Sequence, residues 1–219
     1  MQNMQNGQNG QNEQNNNAGN AGVSEKWMLF EQECRKCREC GLCETRNSVV
    51  IYRGNTSAPL MVVGEAPGKN EDEQGKPFVG RSGQLLQLLL TTAGFKPDEI
   101  HVCNIVKCRP PENRRPTASE VLSCKKLLAK QFELVSPRMV LLCGATAYEA
   151  FFNQKPNMHE VRGNFIKRGN YYIMTTFHPA YALRDPKQKI PMLEDITAVR
   201  TKLTELGILP EVTDFSIEK

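Results

Sequence analysis

The sequence predicts an α/β protein in which a central, mostly parallel sheet of four strands lies between two layers of helices. Short apolar runs of strand length alternate along the chain with longer segments whose apolar residues recur at helical spacing. The chain has 219 residues, no internal repeat and the length for one domain with one substantial core. Together these observations predict a three-layer α/β/α fold.

The ends of the chain differ from its middle. Residues 1–23 repeat Gln, Asn and Gly with almost no large apolar residue before Val23. Such a segment buries too little apolar surface to offset its ordering entropy. We therefore predict a disordered tail over 1–23, a folded domain over 24–210 and a C-terminal tail over 211–219.

The first half of the domain holds a predicted helix within 24–40 and a strand over 60–63. Trp27 and its apolar neighbours predict the helix, which runs into a group of cysteines. The strand is a continuous apolar run closed by Gly64. A glycine-rich loop follows it, and leucines at helical spacing over 85–89 predict the next helix.

The second half repeats the alternation. Further strands are predicted over 101–107, 139–144 and 171–177. Thr117 and Glu120 form the pattern of a capping box, which begins a helix whose apolar stripe turns Cys124 inward. Later helices are predicted over 146–152 and 193–206. This order favours a parallel sheet with helices on both faces.

Composition narrows the class of protein. No run approaches the 18 or so apolar residues of a membrane span, and the N-terminus lacks the pattern of a secretory signal, so we expect a cytoplasmic protein. In that compartment the eight cysteines favour metal ligation over disulfides. The net charge of +4 is compatible with a nucleic-acid surface.

The cysteines offer two alternative ligand sets. Cys37 and Cys40 form a C-x2-C pair, and Cys108 and Cys124 form a second, distant pair. Four thiolates of this kind suit either an iron–sulfur cluster or a structural zinc ion, and the spacing does not choose between them. The alternative set is local and consists of the four cysteines within 34–43.

The loop that follows the first strand is the predicted place for chemistry. Ligands of open α/β sheets bind beyond the carboxyl ends of strands. Glu65 stands directly at such an end, and Phe78 follows in the same loop.

Three stretches resemble, in order, the motifs of family 4 uracil-DNA glycosylases. The first is Gly-Glu-Ala-Pro-Gly over 64–68 with Gly-Lys-Pro-Phe-Val-Gly over 75–80. The second joins Asn104 to Lys-Cys-Arg-Pro-Pro over 107–111, and the third is Phe-His-Pro-Ala-Tyr-Ala-Leu-Arg over 177–184. The resemblance extends from about residue 37 to residue 206.

The resemblance implies a cofactor and a fold. It implies one 4Fe–4S cluster, structural in role, on Cys37, Cys40, Cys108 and Cys124, with no diffusible cofactor. Cys34 and Cys43 then fall outside the ligand set. The implied fold is a four-stranded parallel sheet with helices on both faces, in agreement with the pattern above.

It also implies a monofunctional enzyme that hydrolyses the N-glycosidic bond of deoxyuridine in DNA and so initiates base excision repair. On this sequence, Glu65 would orient or activate water and His178 would donate to uracil O2. Phe78 would stack on the base, and Asn104 would read its O4 and N3–H. Ala66, Pro67 and Glu71 would complete the uracil site, with Glu71 filling the space that excludes the methyl group of thymine.

The expected partner is uracil-containing DNA, single or double stranded. We expect the protein to act as a monomer and not to bind a membrane. Basic and helix-opening residues predict contacts with the DNA backbone; they are Arg81, Ser82, Lys107, Arg109, Arg114 and Arg115. Tyr181 and Leu183 are predicted to wedge into the space that the flipped base leaves.

Two alternatives stay open. One is a redox-responsive binding protein without enzymatic activity that uses the local cysteines. The other is a glycosylase of relaxed specificity that also removes hypoxanthine or xanthine. A related group that links covalently to DNA is excluded, because no Lys-Arg-Arg-Ile-His insertion separates Pro116 from Thr117 and Ala66 replaces that group's glutamine.

Overall fold

The computed structural model describes residues 25–211. The predicted tail over 1–23, and all but Glu211 of the predicted tail over 211–219, lie outside the described residues. None of the helices within 25–211 combines the length and the apolar character that a membrane crossing requires.

Six strands form one sheet in the order β1-β3-β2-β4-β6-β5. They are β1 (Arg53–Gly54), β2 (Leu60–Gly64), β3 (Ile100–Asn104), β4 (Met139–Cys143), β5 (Ile166–Arg168) and β6 (Tyr171–Thr176). The central strands β3, β2, β4 and β6 are parallel, which confirms the predicted core of the sheet. The predicted count of four strands is too low, because the short β1 and β5 add antiparallel edges.

Eight α-helices connect and cover these strands within the described residues. They are α1 (described over 25–36), α2 (Lys69–Gln74), α3 (Arg81–Thr92), α4 (Ala118–Val135), α5 (Ala145–Phe152), α6 (Met158–Val161), α7 (Pro179–Arg184) and α8 (Lys189–Glu205). Single turns of 3-10 helix lie at Gly41–Glu44, Pro97–Glu99, Pro111–Asn113 and Pro186–Gln188. The predicted capping box begins α4, since Thr117 Oγ1 accepts from the Glu120 N–H.

The core has two apolar halves, one on each face of the sheet. Alternate residues of the central strands point to opposite faces, so Leu60 and Val62 belong to one half and Met61 and Val63 to the other. The first half packs against α3, α7 and α8, and the second against α1, α4 and α5. The three-layer prediction is therefore confirmed.

The second half contains Trp27 of α1, which is buried. Its ring centroid lies 4.9 Å from that of Tyr52 and 5.6 Å from that of His101. This aromatic cluster anchors the first helix of the domain to β3.

Candidate active site

The carboxyl ends of the parallel strands bring the predicted functional residues together. Glu65 follows β2, Asn104 ends β3 and His178 follows β6 by two residues. A cavity of about 310 Å³ opens at this edge and is called the strand-end cavity below. It is lined by Glu65, Ala66, Pro67, Gly68, Glu71, Phe78, Ser82, Asn104, Pro110, Asn113, Arg114, His178 and Ala180.

The absence of a side chain at Gly64 lets two of these residues meet. A Cβ atom at Gly64 would lie 2.4 Å from Phe78 Cζ and 2.6 Å from Asn104 Oδ1. Gly64 is paired with Asn104 in the ladder of β2 and β3. The phenyl ring and the amide therefore converge over the end of β2.

Phe78 has a left-handed backbone with φ of 55°, which is uncommon for a bulky residue. The surrounding loop holds this conformation. The Glu71 carboxylate accepts hydrogen bonds from the backbone N–H groups of Gly68, Val79 and Gly80 at 3.1, 2.9 and 2.8 Å. Glu71, which is predicted to bind the base, thus lines the cavity. Its carboxylate also links separate parts of the loop to each other.

His178 presents a hydrogen-bond donor to the cavity. Its Nδ1 accepts the Ala180 N–H at 3.2 Å, so its own proton is assigned to Nε2. Burial lowers the pKa of His178; Arg184 lowers it further, while Glu65 and Glu71 oppose this. The Phe78 and His178 ring centroids lie 6.0 Å apart. The His178 imidazole is therefore neutral, and its Nε2–H is free to donate to a ligand.

The Glu65 carboxylate is held by a residue that the sequence did not predict. Thr146 Oγ1 donates to Glu65 Oε2 at 2.5 Å. Thr146 lies in the first turn of α5, immediately beyond β4. The signal in the sequence was its place after a strand end, where ligands of parallel sheets gather.

The prediction that Lys107 contacts DNA is wrong. Its side chain is 1% exposed, and Nζ donates to the Asn104 carbonyl at 2.9 Å and to Gln131 Oε1 at 2.5 Å. The predicted strand over 101–107 ends at Asn104, and the chain then turns so that Lys107 points into the interior. Gln131 continues the network with a hydrogen bond of 2.8 Å between its Nε2 and His101 Nε2.

The other predicted DNA contacts lie near the surface, and several already have protein partners. Arg114 binds the Glu120 carboxylate through two nitrogens at 2.9 and 2.7 Å and holds the pKa of Glu120 down to about 2. Arg115 pairs with Glu149 at 2.6 Å, and Arg109 donates to Asn113 at 2.8 Å.

The remaining residues of that prediction stand on two helices. Arg81 and Ser82 open α3 and are at least partly exposed. Tyr181 packs edge-on against Phe177 with centroids 5.3 Å apart, and Leu183 packs against the core. Both wedge candidates are half-buried.

A second cavity, called the cysteine cavity below, lies between the chain that follows α1 and the α4 helix. It is lined by six thiols, those of Cys34, Cys37, Cys40, Cys43, Cys108 and Cys124. Arg46 Nη1 donates to Cys108 Sγ at 3.1 Å. Burial raises the pKa of the Cys124 thiol to about 11; it also raises the pKa of Cys108, which the Arg46 guanidinium opposes.

Two of these six thiols lie outside the ligand set that the resemblance implies. Cys34 is fully buried, and burial raises its pKa to about 12. Cys43 Sγ donates to Glu44 Oε1 at 3.2 Å. Between residues 25 and 211, no three His, Cys, Asp or Glu side chains are grouped closely enough to hold a single metal ion.

The chain is similar to known proteins over most of its length. The family model described as the uracil DNA glycosylase superfamily matches residues 51–199. The type-4 uracil-DNA glycosylase of Thermotoga maritima is 38% identical over 183 residues, which are 82% of this chain and 95% of that protein.

Two further relatives are also uracil-DNA glycosylases. The type-4 uracil-DNA glycosylase of Saccharolobus solfataricus is 38% identical over 190 residues, covering 82% of this chain and 88% of that protein. The type-5 uracil-DNA glycosylase of Pyrobaculum aerophilum is 36% identical, but over only 58% of this chain and 63% of its own length.

Proposed function

The chain belongs to the uracil-DNA glycosylase superfamily, and we propose that it hydrolyses the N-glycosidic bond of deoxyuridine in DNA. The products are free uracil and an abasic site, and the reaction initiates base excision repair. One observation carries this proposal: Glu65, Phe78, Asn104 and His178 line the same cavity at the edge of the sheet. Base excision needs such a pocket, because a flipped base must be stacked and read outside the helix.

Phe78 supplies the stacking surface. Its ring is buried against Gly64 and the His178 ring, so it is already in place before a base arrives. Stacking of a base on an aromatic ring is worth about 1–3 kcal/mol in single-strand binding proteins.

Asn104 selects uracil. A side-chain amide can donate to O4 and accept from N3–H, whereas cytosine offers an amino group and a bare nitrogen at those positions. In the orientation that reads uracil, the buried Asn104 amide would face cytosine donor to donor and acceptor to acceptor, and would stay unpaired. Sites built on buried hydrogen bonds reject such partners strongly.

His178 stabilises the leaving group. As the glycosidic bond breaks, negative charge develops on the uracil ring, and the Nε2–H of a neutral imidazole can donate to O2. Removal of one donor of this kind costs about 2.7–4 kcal/mol of barrier in a well-studied hydrolase.

Glu65 supplies the water. Its carboxylate borders the cavity at the end of β2, where it can accept a hydrogen bond from the water that attacks the sugar carbon. Carbon and oxygen form the new bond, the bond from carbon to the base nitrogen breaks, and the water proton leaves for the carboxylate or the solvent.

We further propose a 4Fe–4S cluster on Cys37, Cys40, Cys108 and Cys124. Thiolates of a four-iron cluster each bind a different iron, so the ligands need not crowd around one point. The donor set fits, since these four thiols line one cavity although no three form a mononuclear site among the described residues. Cys37 and Cys40 of the segment after α1, Cys108 of the segment before α4 and Cys124 of α4 would hold the cluster, which would cross-link these elements.

The substrate is proposed to be uracil in DNA, with Arg81, Ser82, Arg109, Arg114 and Arg115 near the backbone. Removal of uracil from both single and double strands, action as a monomer and a cytoplasmic location stay predictions from the sequence. The insertion of Tyr181 and Leu183 into the space left by the flipped base also stays a prediction.

The test is excision from an oligonucleotide with a single uracil, read as strand cleavage after alkali. Wild type should cleave, and Glu65→Ala and His178→Ala should each lower the single-turnover rate by about a hundredfold or more. Glu205→Ala is the matched control, because Glu205 pairs with Lys202 on the far helix α8 and should retain the full rate.

Oligonucleotides with cytosine or thymine in place of uracil should stay intact. Release of hypoxanthine or xanthine would support the relaxed-specificity alternative. Lack of any cleavage by protein whose iron–sulfur absorbance is intact would overturn the proposal in favour of a binding protein.

A further inference from the structure

We propose that Thr146 is a positioning residue for the reaction, because its hydroxyl fixes the Glu65 carboxylate in the orientation that holds the attacking water. The inference rests on the proposed function. It assigns separate tasks to the two oxygens of Glu65: Oε2 is anchored to the protein, and Oε1 receives the water.

The anchor is a short contact made by a buried residue. Thr146 Oγ1 donates to Glu65 Oε2 at 2.5 Å, and Thr146 is 6% exposed. Between residues 25 and 211, no second protein group donates a hydrogen bond to this carboxylate. The terminal torsion of a glutamate has a broad minimum, so a carboxylate at the edge of an open cavity would otherwise rotate freely.

The topology explains why these two residues meet. Strands β2 and β4 are parallel neighbours, so their carboxyl ends lie side by side. Glu65 directly follows β2, and Thr146 lies three residues beyond the end of β4. An acid and a hydroxyl that are 81 residues apart in sequence are thereby placed at one edge.

The turn that carries Thr146 also touches His178. Gly144 has φ of +92°, and a Cβ atom there would lie 2.9 Å from His178 Cβ. The Gly144 N–H donates to the Thr176 carbonyl at 2.9 Å, which ties the turn to β6. The segment 144–146 therefore borders both side chains that the reaction needs.

This turn leads directly into the buried core. Ala147, next in α5, is fully buried in the core half that packs against α4. A carboxylate that is oriented from the core keeps a more exact geometry than one oriented by a surface loop.

A helix-capping role does not account for the hydroxyl. The N-cap of α5 is Gly144, which has no side chain to accept from the helix. The hydroxyl of Thr146 instead donates to Glu65. The hydroxyl is therefore directed at Glu65 rather than at its own helix.

The test compares Thr146→Val, which replaces the hydroxyl by a methyl group of similar size, with Thr146→Ser, which keeps it. A hydrogen bond to a charged group predicts a loss in kcat of about 10- to 100-fold for Thr146→Val. KM should change by less than about threefold, because the stacking ring and the reading amide are untouched. Thr146→Ser should restore kcat to within about fivefold of wild type.

A double-mutant cycle separates action through Glu65 from a general effect. In a Glu65→Ala background the anchor has nothing to hold, so Thr146→Val should lower kcat no further. If the two losses instead multiply, Thr146 acts independently of Glu65 and the inference is wrong.

Thr204→Val is the matched control, since Thr204 Oγ1 donates to the Arg200 carbonyl at 3.2 Å on α8 and Thr204 does not line the strand-end cavity. It should keep kcat, whatever its effect on the melting temperature. A kcat for Thr146→Val equal to wild type, or no rescue by serine, overturns the inference while excision itself stands. Failure of wild type to excise uracil would instead remove the proposed function on which the inference rests.

Discussion

At the scale of single residues, Gly64 controls whether the cavity can form. The phenyl ring of Phe78 and the amide of Asn104 both occupy the space where any side chain would begin. Neither neighbour can move freely, because Phe78 and Asn104 are buried. The smallest possible substitution should therefore disturb stacking and reading of the base together.

Gly64→Ala is expected to lower kcat/KM for uracil excision by about a hundredfold and to destabilise the fold by about 1–3 kcal/mol, the usual cost of overpacking a core. Single-turnover excision and urea unfolding measure the two effects. Gly41→Ala is the control, because a Cβ atom there meets nothing within 4 Å. Equal kcat/KM for Gly64→Ala and wild type would show that the cavity adapts.

The sequence identified the residues that stand at strand ends within recognisable motifs. Glu65, Asn104 and His178 belong to that group, and the structure brings them to one cavity. Thr146 and Lys107 were missed or misassigned, because their roles depend on which neighbour lies beside them in three dimensions. A lysine in a basic segment resembles a DNA contact until its burial is known.

At the scale of elements, the segment between α1 and β1 is fixed from two sides. Arg46 donates to Cys108 Sγ and, at 3.0 Å, to the Cys37 carbonyl. Asp72 of α2, fully buried, accepts from the Asn47 backbone N–H at 2.9 Å and from its side chain at 2.7 Å. The cysteine cavity and the loop of the first motif are thus joined through α2.

The ligand set can be tested at this scale. Cys108→Ser should abolish the iron content and the visible absorbance of the purified protein, because it removes a proposed ligand from the segment before α4. Cys34→Ser and Cys43→Ser should keep both signals, since those thiols lie outside the proposed set. The opposite pattern, with iron lost only from the second pair of variants, would establish the local set of cysteines.

Helices and strands were predictable to different degrees. The apolar stripe of α4 and its capping box gave its beginning correctly. The edge strands β1 and β5 are two and three residues long, too short for a periodic pattern to be visible. They exist because β3 and β6 offer unpaired edges, which is a property of the assembled sheet.

At the scale of the whole molecule, a buried polar network crosses the half of the core that packs against α4. Lys107 donates to Gln131, Gln131 donates to His101 Nε2, and His101 Nδ1 donates to the Asn55 carbonyl at 2.9 Å. Each donor has an acceptor only while His101 is neutral. Burial lowers the pKa of His101 to about 4, an effect that Lys107 reinforces and the bond to Asn55 opposes.

This network makes global stability depend on pH. Between pH 6.5 and pH 4 the unfolded chain binds a proton at His101 that the folded protein does not, so the free energy of unfolding falls as pH falls through this window. Between pH 7 and pH 5 wild type should lose about 2 kcal/mol more than His101→Gln, as measured by urea unfolding. Parallel losses in the two proteins would show that His101 does not titrate on unfolding.

Trp27 gives the molecule a built-in optical probe. It is the one tryptophan of the chain, and it packs in the same half of the core as the cysteines of the proposed cluster. Indole emission therefore reports on that half, whereas far-ultraviolet circular dichroism averages over the helices on both faces of the sheet. If the two unfolding curves coincide, the domain unfolds as a single cooperative unit. If they differ, the two halves of the core unfold one after the other.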